Sequence, residues 1–151
     1  MALFLSTITN KVDKKGRVSV PASFRAVLVK AGSSGLVFFP SFKSAAIEAC
    51  PVERMELLNS RVQNFDLFSE NQDDLSSVLF AQAEEISVDT EGRILLSERL
   101  LAHGNITESV SFVGKGSTFQ LWNPEAFSAY QRDALARVKK AGLTLPAGGA
   151  A

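Results

Sequence analysis

Four side chains within seven residues, Lys11, Lys14, Lys15 and Arg17, concentrate positive charge on one short stretch of this chain. The stretch reads Val12-Asp13-Lys14-Lys15-Gly16-Arg17-Val18-Ser19-Val20-Pro21. A lysine ammonium group holds a phosphate oxygen without reading sequence, whereas a guanidinium is shaped to bond guanine O6 and N7 together. The chemistry on offer is recognition of nucleic acid. Arg17 is the base-reading candidate, Lys11, Lys14 and Lys15 are candidate phosphate contacts, and Arg25 downstream is another. Arg17 also has a plainer reading, an ion pair with Asp13 across its own turn, of a kind that is common on surfaces and worth little. Three neighbouring lysines and a single acid favour the anionic partner.

The stretch occurs twice. Seventy-six positions later the chain reads Val88-Asp89-Thr90-Glu91-Gly92-Arg93-Ile94-Leu95-Leu96-Ser97. Both copies follow apolar, Asp, two polar residues, Gly, Arg, apolar, any residue, apolar. The pattern predicts a strand, a tight turn and a second strand: Asp bonds backbone N–H groups in the turn, Gly takes positive φ, and apolar alternation resumes after it. In the second copy Thr90-Glu91 replaces the lysine pair. Arg93, beside Asp89 and Glu91, is therefore read first as a surface ion pair and second as a DNA contact.

Other chemistries lack their residues. One Cys and one His exclude a credible metal site or nucleophilic triad, so no catalytic residue, metal or cofactor is expected and the chain is read as a non-enzyme. His103, at a predicted helix end, reads as a satisfied structural histidine. Gly114-Lys115-Gly116-Ser117-Thr118 fails as a phosphate loop, because Gly follows the Lys and the upstream Gly is missing. Trp122, Phe119 and Phe127 read as core rather than as base-stacking platforms. No apolar run approaches the roughly 18 residues of a membrane helix, the amino end lacks a signal-peptide pattern, and lone Cys50 fits a reducing compartment. A cytoplasmic protein with no small-molecule substrate is expected.

Net charge is zero, yet its distribution is not even. Residues 1–47 hold seven basic side chains and one acid, residues 48–98 hold three and twelve, and residues 99–151 hold six and three. Segregation of this kind arises by chance on solvated surfaces; it also suits a basic binding edge on a scaffold whose acidic middle discourages indiscriminate DNA coating.

The elements that must position the turn follow from periodicity. A strand is expected before Val12, a second over Val18 and Val20, and a helix from Pro21 with Phe24, Val27, Leu28 and Ala31 inward. Leu36-Val37-Phe38-Phe39 reads as a buried strand closed by Pro40. Cys50-Pro51 is expected to begin a helix striped by Val52, Met55, Leu58, Val62 and Phe65, and a further helix over Leu75–Ala81 follows an acidic start. That helical pair needs something to pack on, partly its own barrel and partly a neighbouring subunit. After the second turn come a short helix from Glu98 stopped by Gly104, and a hairpin of Ser109–Val113 with Thr118–Trp122. A helix capped by Asn123-Pro124 closes the pattern, with Phe127, Tyr130, Ala134, Leu135 and Val138 inward. Leu36–Pro40 reads as the counterpart of Phe119–Asn123. Neither half could bury its apolar faces alone, so the two should intertwine.

The paired segments Asp13-Lys14-Lys15-Gly16-Arg17-Val18-Ser19-Val20-Pro21 and Asp89-Thr90-Glu91-Gly92-Arg93-Ile94-Leu95-Leu96 resemble those of the MraZ proteins, bacterial regulators built from two SpoVT-AbrB-type repeats. The likeness extends to Phe4, Leu36–Pro40, Val110–Gly114 and Phe119–Trp122. It implies an α+β fold, a duplicated AbrB-like swapped-hairpin β-barrel (double-split barrel) with flanking helices. Repeats over 7–54 and 83–126 are expected to form one compact unit, and the composition of 143–151 predicts a disordered tail. It further implies a ring-shaped, octamer-like homo-oligomer that binds double-stranded promoter DNA. The site it implies is the promoter of the division and cell-wall gene cluster, the expected role typically repression, and the expected location the cytoplasm and nucleoid. The family's motif arginine carries over onto Arg17 and its repeat counterpart onto Arg93. Ser6 stands where the family usually has Gly, and Ser97 where the second copy often has Pro. The alternative is an antitoxin or interaction module on the same barrel, which usually carries one turn and a longer partner-binding tail.

Overall fold

Proline, serine and asparagine at element boundaries set most of the architecture. The computed structural model describes residues 2–33 and 35–147, and within them the chain is α+β, with eight strands and five helices. Strands β1 (Thr7–Lys11) and β2 (Arg17–Ser19) flank the basic turn, and Pro21 then caps α1 (Ala22–Lys30). β3 (Leu36–Pro40) is buried throughout, and β4 (Ile47–Pro51) returns beside it before α2 (Val52–Val62) begins. The Ser69 hydroxyl accepts the Gln72 amide at 3.1 Å and starts α3 (Glu70–Leu79). The second half runs β5 (Glu84–Ile86), β6 (Arg93–Leu95), α4 (Glu98–Gly104), β7 (Ser109–Gly114), β8 (Phe119–Trp122) and α5 (Pro124–Ala141). Asn123 caps α5 by accepting the Ala126 amide at 3.1 Å, with Pro124 where a missing N–H costs nothing.

Strands pair mainly across the two halves. Of six antiparallel ladders, β1–β7, β2–β6, β3–β5 and β4–β8 join one half to the other, and only β3–β4 and β7–β8 lie within a half. The strands on either side of the basic turn therefore do not close on each other; a single bridge between Val12 and Val18 links them. In the β2–β6 ladder Val18 lies opposite Ile94, its equivalent in the repeat, and in β4–β8 Glu48 lies opposite Gln120. An approximate two-fold axis passes through both pairs, and the Gln120 amide donates to the Glu48 carboxylate at 2.9 and 3.2 Å on it.

This symmetry sorts the layers. One face of the six-stranded sheet (order β1-β7-β8-β4-β3-β5) looks onto a core closed from the other side by the β2–β6 ribbon with α1 and α4. The closing residues come in equivalent pairs: Val18 with Ile94, Val20 with Leu96, Phe24 with Leu100. Phe4, Phe24, Phe38, Phe112 and Phe119 meet in the middle with centroids 4.9–6.2 Å apart, mostly edge to face, as ring quadrupoles prefer. On the outer face α2 and the end of α3 cover Val37, Phe39 and Cys50, and α5 covers Val113 and Trp122.

Several elements differ from their sequence readings. Ile47–Pro51 is a strand although Cys50-Pro51 looks like a helix start; Ile47 and Ala49 face the central core and Cys50 the outer one, an alternation too short to stand out against the helical stripe that follows. That helix ends at Val62, so Phe65 falls beyond it and is 40% exposed. Leu36–Pro40 corresponds to Val110–Gly114, not to Phe119–Asn123: β3 and β7 each pair with the first strand of the opposite half, and Phe38 and Phe112 are the matched core residues. α4 is closed by Asn105 in the left-handed region at φ 49, one residue past Gly104. On α5 only Phe127 is buried, while Leu135 and Val138 are 55% and 44% exposed.

The helix expected over Leu75–Ala81 runs instead over Glu70–Leu79, because the Ser69 cap starts it within the acidic segment, and Ala31, expected inward, is exposed at the end of α1; Phe119, Trp122 and Phe127 are core. The His103 Nε2 lies 3.0 Å from the Ala46 carbonyl, a structural contact. Of the expected tail, residues 143–147 carry no regular structure and are exposed, and 148–151 lie outside the described residues.

Candidate nucleic-acid interface

The two turns have the same internal wiring. In the first, Asp13 N–H donates to the Arg17 carbonyl at 2.9 Å and Gly16 N–H to the Asp13 carbonyl at 3.0 Å. The Asp13 Oδ1 accepts the amides of Lys15 and Arg17, each at 2.9 Å, and Oδ2 accepts Arg17 Nε at 2.7 Å. The Arg17 amide, more than any other contact, holds the Asp13 carboxyl below the ordinary aspartate range, with the Arg17 side chain and the Lys15 amide adding to it. Gly16 takes φ 91, and a β-carbon there would stand 2.8 Å from the Leu96 carbonyl oxygen. That close approach lets Leu96 N–H reach the Gly16 carbonyl at 2.9 Å and ties the turn to the second half.

The second turn repeats this. Asp89 Oδ1 accepts the amides of Glu91 at 2.8 Å and Arg93 at 2.9 Å, and the Arg93 amide is the main cause of the lowered Asp89 pKa. The arginines differ, however. Arg17 touches Asp13 through Nε, which leaves both terminal nitrogens unbonded among the described residues. Arg93 is 3.3 Å from Asp89 through Nε and also spends a terminal nitrogen on Glu91 at 2.7 Å. A guanidinium held by Nε alone still presents two parallel donors; one held by Nε and a terminal nitrogen does not.

Pairing of β2 with β6 places the arginines on one ribbon face. Val18 and Ile94 point into the core, so Arg17 and Ser19 point out beside their register partners Leu95 and Arg93. Arg17 and Arg93 are diagonal neighbours across the ribbon, roughly 7–8 Å apart at the backbone by sheet geometry. Lys11, Lys14 and Lys15 are exposed around the first turn, and none makes an ion pair among the described residues. Lys11 and Lys14 border an open cleft of about 530 Å³ whose far wall is Thr107, Glu108 and Ser109.

Arg25 is not part of the first turn. Its Nε donates to the Val20 carbonyl at 3.2 Å, and its guanidinium carbon lies 2.9 Å from where a β-carbon on Gly92 would stand, so it roofs the second turn. Leu101 occupies the equivalent place over Gly16. The first turn is thus crowned by lysines and floored by an apolar side chain. The second carries acids and borrows a cation from the other half. Sequence order hid this exchange, because Arg25 stands eight residues after Arg17; only the β2–β6 crossing moves it to the far turn. Ser97 caps α4 by accepting the Leu100 amide at 3.3 Å and donates to Glu84 at 2.9 Å. Ser6, in place of Gly, has φ 76, the left-handed conformation for which Gly is the ordinary choice.

Known proteins are similar to this chain over most of its length. A family model described as "MraZ protein, putative antitoxin-like" matches residues 79–142. The chain is 45% identical over 141 residues to the transcriptional regulator MraZ of Pelagibacter ubique (strain HTCC1062), covering 93% of this chain and 89% of that one. It is 41% identical over 146 residues to the transcriptional regulator MraZ of Rickettsia bellii (strain OSU 85-389), covering 96% and 97%. The protein of that name from Rickettsia canadensis (strain McKiel) is 40% identical over 145 residues, again covering 96% and 97%. No described helix is long and apolar enough to cross a membrane.

Proposed function

The chain belongs to the MraZ family, and from that premise we propose that it is a non-catalytic, sequence-specific DNA-binding transcriptional regulator. The observation that carries this reading is the first turn: three lysines unpaired among the described residues, around an arginine whose terminal nitrogens are free among them, raised at one end of a two-stranded ribbon. Such a ribbon fits the major groove, where a bidentate arginine–guanine contact is worth about 1–3 kcal/mol of discrimination. Arg17 reads the base. Lys11, Lys14 and Lys15 hold phosphates, Arg25 shapes the second turn and adds positive charge beside it, and Arg93 supports the ribbon from its ion pairs. Asp13 acts as a positioning residue, fixing the turn and the arginine's Nε together.

The cross-half pairing supports a duplicated swapped-hairpin barrel made of repeats 7–54 and 83–126 in one unit. One turn gives few contacts, so useful affinity requires several turns acting together. Linking identical turns in one assembly raises effective affinity by about 10² to 10⁴ when the target carries matching repeats. A ring-like homo-oligomer on repeated short promoter boxes meets that need, and repression of the division and cell-wall gene cluster from the nucleoid is the role proposed for it. The test is a gel shift with the promoter duplex. Arg17→Ala should abolish the specific complex while the oligomer's mass stays unchanged; unchanged specific affinity would remove Arg17 from its role.

The family model's antitoxin-like description favours a second reading, a module that binds a partner protein. A second protein co-purifying in fixed ratio, with no shift of promoter DNA, would select it.

A further inference from the structure

The duplication is complete on the inner side of the sheet and incomplete on the outer side. In the first half Val37, Phe39 and Cys50 are covered by α2 through Met55 and Leu58 and again by the end of α3 through Leu79 and Phe80. At the equivalent place in the second half, α5 alone covers Val113 and Trp122, through Ala126 and Phe127. Where the counterpart of α3 would lie there is a groove of about 340 Å³, walled by Thr7, Val113, Lys115, Tyr130 and Ala134. Lys115 Nζ and the Arg137 guanidinium lie 5.9 and 5.5 Å from the Tyr130 ring centre. The exposed turns of α5 beyond it carry Arg132, Arg137, Lys139 and Lys140 against Asp133 alone, and keep Leu135 and Val138 bare.

The link between α2 and α3 has the opposite character. Phe68 is 91% exposed and Leu67 73%, and Phe68 holds φ 65, a conformation rare for a bulky residue. Its N–H donates to Gln72 Oε1 at 3.3 Å, and Ser69 starts the next helix, so the ring is raised on a defined corner. Asp66, Glu70, Asp73 and Asp74 are its acidic neighbours in sequence, and no Lys or Arg occurs between Arg61 and Arg93.

We propose that Phe68 of one copy seats in the groove beside α5 of a second copy of this chain. Its acidic neighbours then meet Lys115, Arg137 and the basic turns of α5. Knob and groove are different surfaces, and α2 and α5 leave opposite ends of the antiparallel β4–β8 pair. The contact is therefore head-to-tail. Each added copy offers a fresh knob and a fresh groove, and such a joint closes into a ring when its rotation permits. The inference rests on the reading of the chain as a self-assembling regulator and names the joint that reading requires.

The test is sedimentation velocity on the full chain, as wild type, Phe68→Asp and Ala134→Glu, with thermal melts to establish that each variant is folded. Both substituted side chains lie outside the core. Loss of a central aromatic anchor should weaken association at least about thirtyfold, so each variant alone should sediment as a smaller species. Mixed in equal amounts, the intact groove of one and the intact knob of the other should restore a single joint and give a dimer. A wild-type oligomer whose mass survives Phe68→Asp overturns this joint and leaves assembly itself standing. Variants that dissociate but do not complement overturn the head-to-tail geometry. A monomeric wild type overturns the assembly reading and the joint together.

Discussion

Replacing Lys14 and Lys15 together with Gln separates phosphate docking from base reading. Both ammonium groups are exposed and, among the described residues, unpaired, as is Lys11, whereas the Arg17 charge is already met by Asp13 at 2.7 Å. Three phosphate contacts per docked turn predict a slope of about −2.7 in log K against log salt, and the double variant leaves about −0.9. Between about 50 and 200 mM salt the affinity of one docked turn should then fall about fortyfold in the wild type and about three- to fourfold in the variant. With two turns of an assembly engaged, both slopes double. Fluorescence anisotropy with a labelled promoter duplex and a scrambled duplex reads both quantities. The lysine variant should lose affinity for the two duplexes alike, so their ratio stays constant. An unchanged slope would show that the phosphates are held elsewhere, and a loss confined to the promoter duplex would assign base reading to the lysines.

Three further outcomes follow from the geometry of the turns and the outer core. Gly16→Ala should destabilise the fold by about 2 kcal/mol or more, since it combines a left-handed conformation with a fixed carbonyl 2.8 Å from the new methyl. Gly92→Ala meets first the flexible side chain of Arg25 rather than backbone and should cost less, so equal shifts in urea midpoint would refute the comparison. The folded pKa of Asp13 is lowered, so the stability it contributes is present above the ordinary aspartate range and is lost as pH falls through the folded value. Asp13→Asn should therefore show a shallower loss of stability than wild type between about pH 5 and pH 2, and parallel curves would contradict the turn's wiring. Burial pushes the Cys50 thiol up to about 11, so it should resist alkylation in the folded protein at neutral pH and react only on unfolding. Rapid labelling of native protein would refute its placement under α2.

The turns were the most legible part of the chain, because their chemistry is local: Asp13 and Asp89 bond amides two and four residues on, and Gly16 and Gly92 take the positive φ their neighbours cannot. The helix opened by Asn123-Pro124 was equally visible, whereas the acidic first turn of α3 hid its start at Ser69. What escaped were relations fixed by pairing across the halves. Arg25 follows the first turn in sequence yet serves the opposite one, and Arg93 shares a ribbon face with Arg17 only because Val18 pairs with Ile94. The strand Ile47–Pro51 was masked because its residues face two different cores, so no single apolar face repeats. On α5 the apolar spacing promised burial of Leu135 and Val138, but spacing reports an apolar face and not what covers it; within one chain nothing described does.

Selection of bound sequences from random duplex DNA, run in parallel with the wild type and Arg17→Ala, addresses the central claim most directly. Wild type should enrich a short, repeated, guanine-containing box, and Arg17→Ala should retain weak, salt-sensitive binding while enriching none. The same box recovered with both proteins, or no box with the wild type, would contradict a sequence-reading ribbon centred on that arginine.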